Sequence, residues 1–93
     1  MKTLVLVAIL STAVFASPAL AQEDIAKRDG CFNCHAADTK KVGPSFKEVA
    51  AKYKGKADAE AMLVAKLKDG KGHPATKASE ADIKGVVKWV LAM

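Results

Sequence analysis

The residues with the most chemical capacity stand together in Cys31-Phe32-Asn33-Cys34-His35, which holds both cysteines and one of the two histidines of the chain. Two thiols three positions apart, with an imidazole beside the second, form the C-x-x-C-H pattern of covalent c-type haem attachment. The spacing has a physical reason. On a helical turn, residues i and i+3 project to the same side, so both sulfurs can add to the two vinyl groups of one porphyrin. The imidazole of His35 is then carried under the ring, within reach of the iron.

Other chemistries use the same residue types. A disulfide or a dithiol redox pair could form across the turn, but the thioredoxin-like version needs a βαβ framework, and no strand pattern is present. Zinc could take Cys31, Cys34, His35 and the second histidine, His73, which is the right number of ligands. Adjacent Cys34 and His35 are poorly disposed toward one tetrahedral ion. Chance occurrence of the pentapeptide is the last option, and the rest of the chain speaks against it.

The chain has 93 residues, with 15 Lys+Arg against 10 Asp+Glu and a formal charge of +5. One small basic domain is the ceiling at this length, and a two-domain enzyme is excluded. The apolar residues crowd the start. Met1-Lys2 gives a short positive beginning, residues 4–15 are an almost uncharged apolar run, and Ala19-Leu20-Ala21 precedes the polar Gln22-Glu23-Asp24. That is the anatomy of a secretory signal peptide with an A-x-A cleavage site. The run is short for a span of about 20 apolar residues, and Pro18 ahead of the small residues also favours cleavage. Residues 1–21 are therefore expected to be a signal peptide and residues 22–93 the mature domain, exported to the periplasm with no membrane span left after cleavage.

Removing residues 1–21 leaves 72 and takes one lysine, so the formal charge becomes +4. Thirteen of the remaining apolar residues are alanines, which bury little surface. Chains of this size are marginal on their own cores. A staple is needed, and the two cysteines allow one disulfide at most, whereas a porphyrin is a large apolar insert.

Residues 23–29 form a short helix candidate ended by Gly30, whose missing side chain also lets the backbone approach a flat ligand. A loop over 36–45 contains Gly43-Pro44, and residues 46–53 form a second helix before Gly55. Asp58 is placed to cap a third helix to about Lys68, with Leu63 and Leu67 one turn apart and Gly70 as the stop. After a loop over 70–78, Ser79 caps the last helix, with Asp82 in a capping-box-like position. Ile83, Val86, Val87, Val90 and Leu91 make a stripe at i, i+3, i+4, i+7 and i+8 that demands a partner, and Trp89 widens it. Gly85 costs roughly 1 kcal/mol of helix propensity relative to Ala. Its use is expected to be a close crossing with the helix that contains Ile25.

The run from Gly30 through Cys31-Phe32-Asn33-Cys34-His35 to Val42-Gly43-Pro44-Ser45-Phe46, residues 47–53, and the closing Lys88-Trp89-Val90 resemble the small bacterial class I monohaem cytochromes c. The resemblance covers nearly the whole mature chain. It implies an all-α fold in which N- and C-terminal helices cross and helices wrap one haem c, bound through Cys31 and Cys34. It further implies that His35 is the proximal iron ligand and that the Pro44 carbonyl accepts a hydrogen bond from it and fixes its orientation.

On the distal side the chain departs from the family. Its members supply methionine from a loop before the final helix, commonly as Met-Pro. Here that loop, Gly70-Lys71-Gly72-His73-Pro74-Ala75-Thr76-Lys77-Ala78, is shortened and has no methionine. It offers His73 followed by Pro74, with Gly70 and Gly72 to let the loop come near the ring. His73 is the expected distal ligand. Met62, inside the third helix, and a vacant sixth position are the alternatives, and a vacant position would make the protein a binder of small gases or a peroxidatic haem.

The expected function is a periplasmic carrier of single electrons between redox proteins, monomeric and not an enzyme. The lysines from Lys40 to Lys88 are spread along the chain and read singly as a solvated coat. Their sum attracts partners with acidic docking surfaces and speeds encounter, an effect that salt weakens. The low aromatic content, 5%, speaks against nucleic acid as a partner.

Overall fold

A computed structural model describes residues 18–93. The first 17 residues, which carry most of the expected signal peptide, lie outside the described residues. Four α-helices follow in order: α1 Pro18–Arg28, α2 Phe46–Tyr53, α3 Ala59–Asp69 and α4 Glu80–Leu91, with a short 3₁₀ turn over Cys31–Asn33 between α1 and α2. The described residues contain no strand.

The helix ends follow from local chemistry. Ser45 starts α2, its Oγ accepting from the Glu48 N–H at 3.1 Å, the bond that a Ser-x-x-Glu sequence announces. Ser79 does the same for α4, accepting from the Asp82 N–H at 3.2 Å. Gly70 closes α3 with φ of 72°, in the left-handed region where a side chain would be strained, and its N–H reaches the Lys66 carbonyl at 2.9 Å. Two expectations need correction. Asp58 precedes α3 but makes no side-chain cap bond. And α1 already runs through Ala19–Gln22, ahead of the expected start at residue 23.

Each of α1, α2 and α3 packs on α4. The apolar stripe of α4 divides its work between two sides. Val86 and Val90 are buried with Ala26 of α1 and Phe46 of α2, flanked by Phe32 and Trp89. Ile83 and Val87 are buried with Val64 of α3, with Leu63, Leu67 and Leu91 at the margin. The N- and C-terminal helices do cross closely at Gly85. The side chain that needs the room belongs to Gln22, one turn before Ile25: a Cβ on Gly85 would stand 2.8 Å from its Cδ. At the other end of α1, Arg28 donates to Asp82 at 2.7 Å. That ion pair is exposed, and exposed pairs contribute about 0–1 kcal/mol, so the crossing is held by the packing of the fully buried Ala26.

Ser45 is 1% exposed, so loss of its hydroxyl leaves the Glu48 N–H without its acceptor. Ser45→Ala should lower the unfolding free energy of the haem-loaded protein by about 1–2 kcal/mol in guanidinium titration and leave the haem spectrum unchanged.

Candidate haem site

The turn that carries the cysteines is drawn tight by main-chain bonds. Asn33 N–H reaches Gly30 O at 3.1 Å, Cys34 N–H reaches Cys31 O at 3.3 Å, and His35 N–H reaches Cys31 O at 3.0 Å. Gly30 enters the turn at φ 80°. Its first requirement is thus a left-handed backbone, in addition to the approach to a flat ligand that the sequence suggests. Both thiols are free, with Cys31 half-buried and Cys34 exposed. Burial pushes the Cys31 thiol up from its ordinary pKa, and the charge of Asp29 adds to the rise. A redox-active dithiol needs the opposite, a thiolate-stabilising environment.

His35 is clamped from several directions. Its Nδ1 donates to the Pro44 carbonyl at 2.5 Å, which leaves the lone pair on Nε2, since a carbonyl can only accept. The ring stacks on Phe46 with centroids 5.2 Å apart. The loop that presents Pro44 is pinned by Gly43 N–H to Cys34 O at 2.7 Å and by Phe46 N–H to Ala36 O at 2.9 Å. Gly43 lies against the imidazole so closely that a Cβ there would stand 2.5 Å from His35 Cε1. Only glycine fits.

His73 comes from the loop between α3 and α4. Gly70 and Gly72 both have φ of 72°, Thr76 N–H bonds to Leu67 O at 2.9 Å, and Ala78 N–H bonds to Thr76 Oγ1 at 3.2 Å. These fold the loop back over α3. The Nδ1 of His73 donates to the Pro74 carbonyl at 2.7 Å, so here too Nε2 keeps the lone pair. The two imidazoles are parallel, with centroids 6.0 Å apart. Metal–imidazole bonds of about 2 Å on each side, plus the distance from each Nε2 to its own ring centre, sum to about that separation. A separation of this order would admit one iron between the rings.

The space around the pair fits the rest of a porphyrin. Two cavities of about 280 and 170 Å³ meet at Cys31, His35, Leu67, His73 and Val86. The larger is walled by Phe46, Val49, Leu63, Val87 and Val90, and the cysteines stand at the edge of the smaller. Their ends differ in charge. Asp29 and Asp82 border the smaller cavity, whereas Lys52, Tyr53 and Lys66 border the larger.

Met62 lines neither cavity. No group of three or more His, Cys, Asp or Glu side chains capable of holding a metal ion forms among the described residues. Sequence reasoning brought Cys31, Cys34, His35, Pro44 and His73 to one place, and the structure places them together. It missed the steric demand on Gly43, the Pro74 carbonyl and the Ser45 cap. Ser45-Phe46-Lys47-Glu48 carried the signal for the cap, and a glycine directly before Pro44 was the only hint of the contact with His35.

A small all-helical fold wrapped on a cleft, with a C-x-x-C-H turn at its edge, defines a monohaem c-type cytochrome of class I. The sequence profile of the family described as Cytochrome c matches residues 22–93. Cytochrome c-551 of Azotobacter vinelandii is 47% identical over 76 residues, covering 74% of this chain and 93% of that protein. Cytochrome c-552 of Nitrosomonas europaea is 37% identical over 91 residues, covering 89% and 88%. Among solved structures, class 1 cytochrome MtoD of Sideroxydans lithotrophicus ES-1 superposes with a TM-score of 0.70 at 40% identity, covering 83% of this chain and 97% of that one. Wild-type Nitrosomonas europaea cytochrome c552 gives 0.68 at 37%, covering 75% and 96%. The chain belongs to the cytochrome c family and carries one covalently bound haem c.

Because the cleft is lined by the residues that would otherwise be core, Cys31→Ala with Cys34→Ala should do more than remove a colour. A pyridine haemochrome assay should give one covalent haem per wild-type chain and none in the double variant. The variant's helical circular dichroism should collapse with it.

Proposed function

We propose that this cytochrome is a periplasmic carrier of single electrons whose iron is held by His35 on one side and His73 on the other. The observation that carries the reading is the parallel pair of imidazoles, 6.0 Å apart, each with Nδ1 engaged by a proline carbonyl. When bound, the haem supplies a one-electron iron couple. The protein's part is to keep the two ligands fixed in both oxidation states. The Pro44 and Pro74 carbonyls lock ring orientation and raise the basicity of Nε2. The apolar wall from Phe46 to Val90 keeps water from reorganising as charge changes.

The unequal ends of the cleft orient the group. Haem carboxylates would be attracted by Lys52, Lys66 and the Tyr53 hydroxyl, whereas the other end offers only Asp29 and Asp82 paired with Arg28, so the propionate side belongs at the larger cavity. The thioether side then falls at Cys31 and Cys34. No bond in a substrate is made or broken by such a site, and the protein acts as a monomeric carrier rather than an enzyme. Its net positive charge suits redox partners with acidic docking surfaces.

Export through a signal peptide, residues 1–21, fits the rest. None of the described helices is long and apolar enough to cross a membrane, and Ala19, Leu20 and Ala21 are exposed.

His73→Ala should open the site. The reduced variant should bind carbon monoxide rapidly and completely, while the wild type stays inert. An alanine variant with unchanged spectrum and potential would assign the sixth position to another group, and prompt binding by the wild type would favour a gas-binding protein instead. His73→Met should raise the reduction potential, on the order of 100 mV, if sulfur binds, since Met/His ligation is the arrangement that raises it.

Gly43→Ala tests the proximal side. The added methyl must push the His35 ring off the Pro44 carbonyl and weaken that hydrogen bond. A less basic imidazole stabilises ferric iron less, so the potential should rise by about 60 mV, a tenfold change in relative affinity for the two oxidation states. Protein-film voltammetry reads the shift.

A further inference from the structure

We propose that Gln22, freed as the first residue when the signal peptide is cut after Ala21, closes on itself to pyroglutamate. This rests on the cleavage reading given under the proposed function. The helices point to that start. The first turns of α2, α3 and α4 carry Glu48, Glu60, and Glu80 with Asp82. A helix begun at Gln22 puts Glu23 and Asp24 in that position, where negative charge meets the positive end of the helix dipole. The turn ahead of it stands in solvent, with Leu20 61% exposed.

Gln22 differs from its neighbours on the same turn. Its side chain is folded across α4 at Gly85, where a Cβ would stand 2.8 Å from both Cδ and Nε2. Its Oε1 is buried and has no hydrogen-bond partner among the described residues. No donor holds the amide in its open form. Once Ala21 is gone, the α-ammonium of Gln22 sits at the start of α1, where positive charge opposes the dipole.

In its neutral form that amine attacks Cδ of its own side chain. The N–Cδ bond forms, the Cδ–Nε2 bond breaks, and ammonia leaves carrying a proton from the amine. No electrons are gained or lost. The product is an uncharged five-membered lactam. It removes the cation from the helix start and the primary amide from the packed crossing, and the bare Cα of Gly85 gives the flat ring its room.

The test is the intact mass of haem-loaded protein recovered from the periplasm, with N-terminal sequencing before and after pyroglutamyl aminopeptidase. The expected species begins at Gln22, is one ammonia lighter than the open chain, and resists sequencing until the peptidase exposes Glu23. A chain that begins at Gln22 and keeps a free amine after prolonged storage would overturn the proposal. A chain that begins elsewhere would overturn both it and the cleavage reading, while the spectrum and potential of the same sample report on electron transfer independently.

Discussion

Four short helices rich in alanine cannot enclose a self-sufficient core, and the cleft between them is where the remaining apolar surface collects. Phe46, Val49, Leu63, Leu67, Val86, Val87 and Val90 all line it. These side chains come from α2, α3 and α4, so the group that fills the cleft touches most of the elements that make the fold. The covalent bonds at Cys31 and Cys34 therefore act on stability as much as on chemistry. They convert binding free energy into folding free energy, as a structural metal does in a small domain.

The fixed separation of the two imidazoles depends on that same arrangement through two different loops. His35 is held by a segment folded against its own motif, where Gly43 and Pro44 leave it no alternative position. His73 is held by a loop hinged at Gly70 and Gly72 and tied back to α3 by Thr76. The clamp on His35 is steric and hydrogen-bonded on several sides, whereas that on His73 relies on a few loop bonds. Local openings concentrate where few buried contacts oppose them, which makes the loop of His73 the looser of the two imidazole supports.

Much of this was legible in residue order. The motif, the α4 stripe, the stop at Gly70 and the start at Ser79 are local features, and local features survive translation into structure. The packing of Gly85 was legible in kind but not in partner, because Gln22 and Ile25 share a helix face and periodicity does not rank them. The pairing of His35 with His73 was expected, but the parallel setting of the two rings was not legible. Their separation depends on how loops far apart in sequence meet across α4, and on the Pro74 carbonyl turning the ring, neither of which leaves a pattern in composition. The missing cap at Asp58 shows the converse: a suitable residue in a suitable place is not obliged to make the bond.

The charge distribution along the cleft carries one more consequence. With Lys52 and Lys66 at one end and Asp29 and Asp82 at the other, the proposed orientation would set the haem carboxylates beside the lysines. The thioether edge would then lie at exposed Cys34, with Val42, 84% exposed, in the loop that follows. An electron must leave where porphyrin comes nearest to solvent, and the acidic residues behind that edge are occupied: Arg28 is bonded to both Asp29 and Asp82. Pairing them with Arg28 mutes a negative field that would otherwise repel an acidic partner at short range, while the lysines supply attraction over the longer distance that salt permits. The ion pair at the α1–α4 crossing is thus better explained by the surface it neutralises than by the small stability an exposed pair contributes.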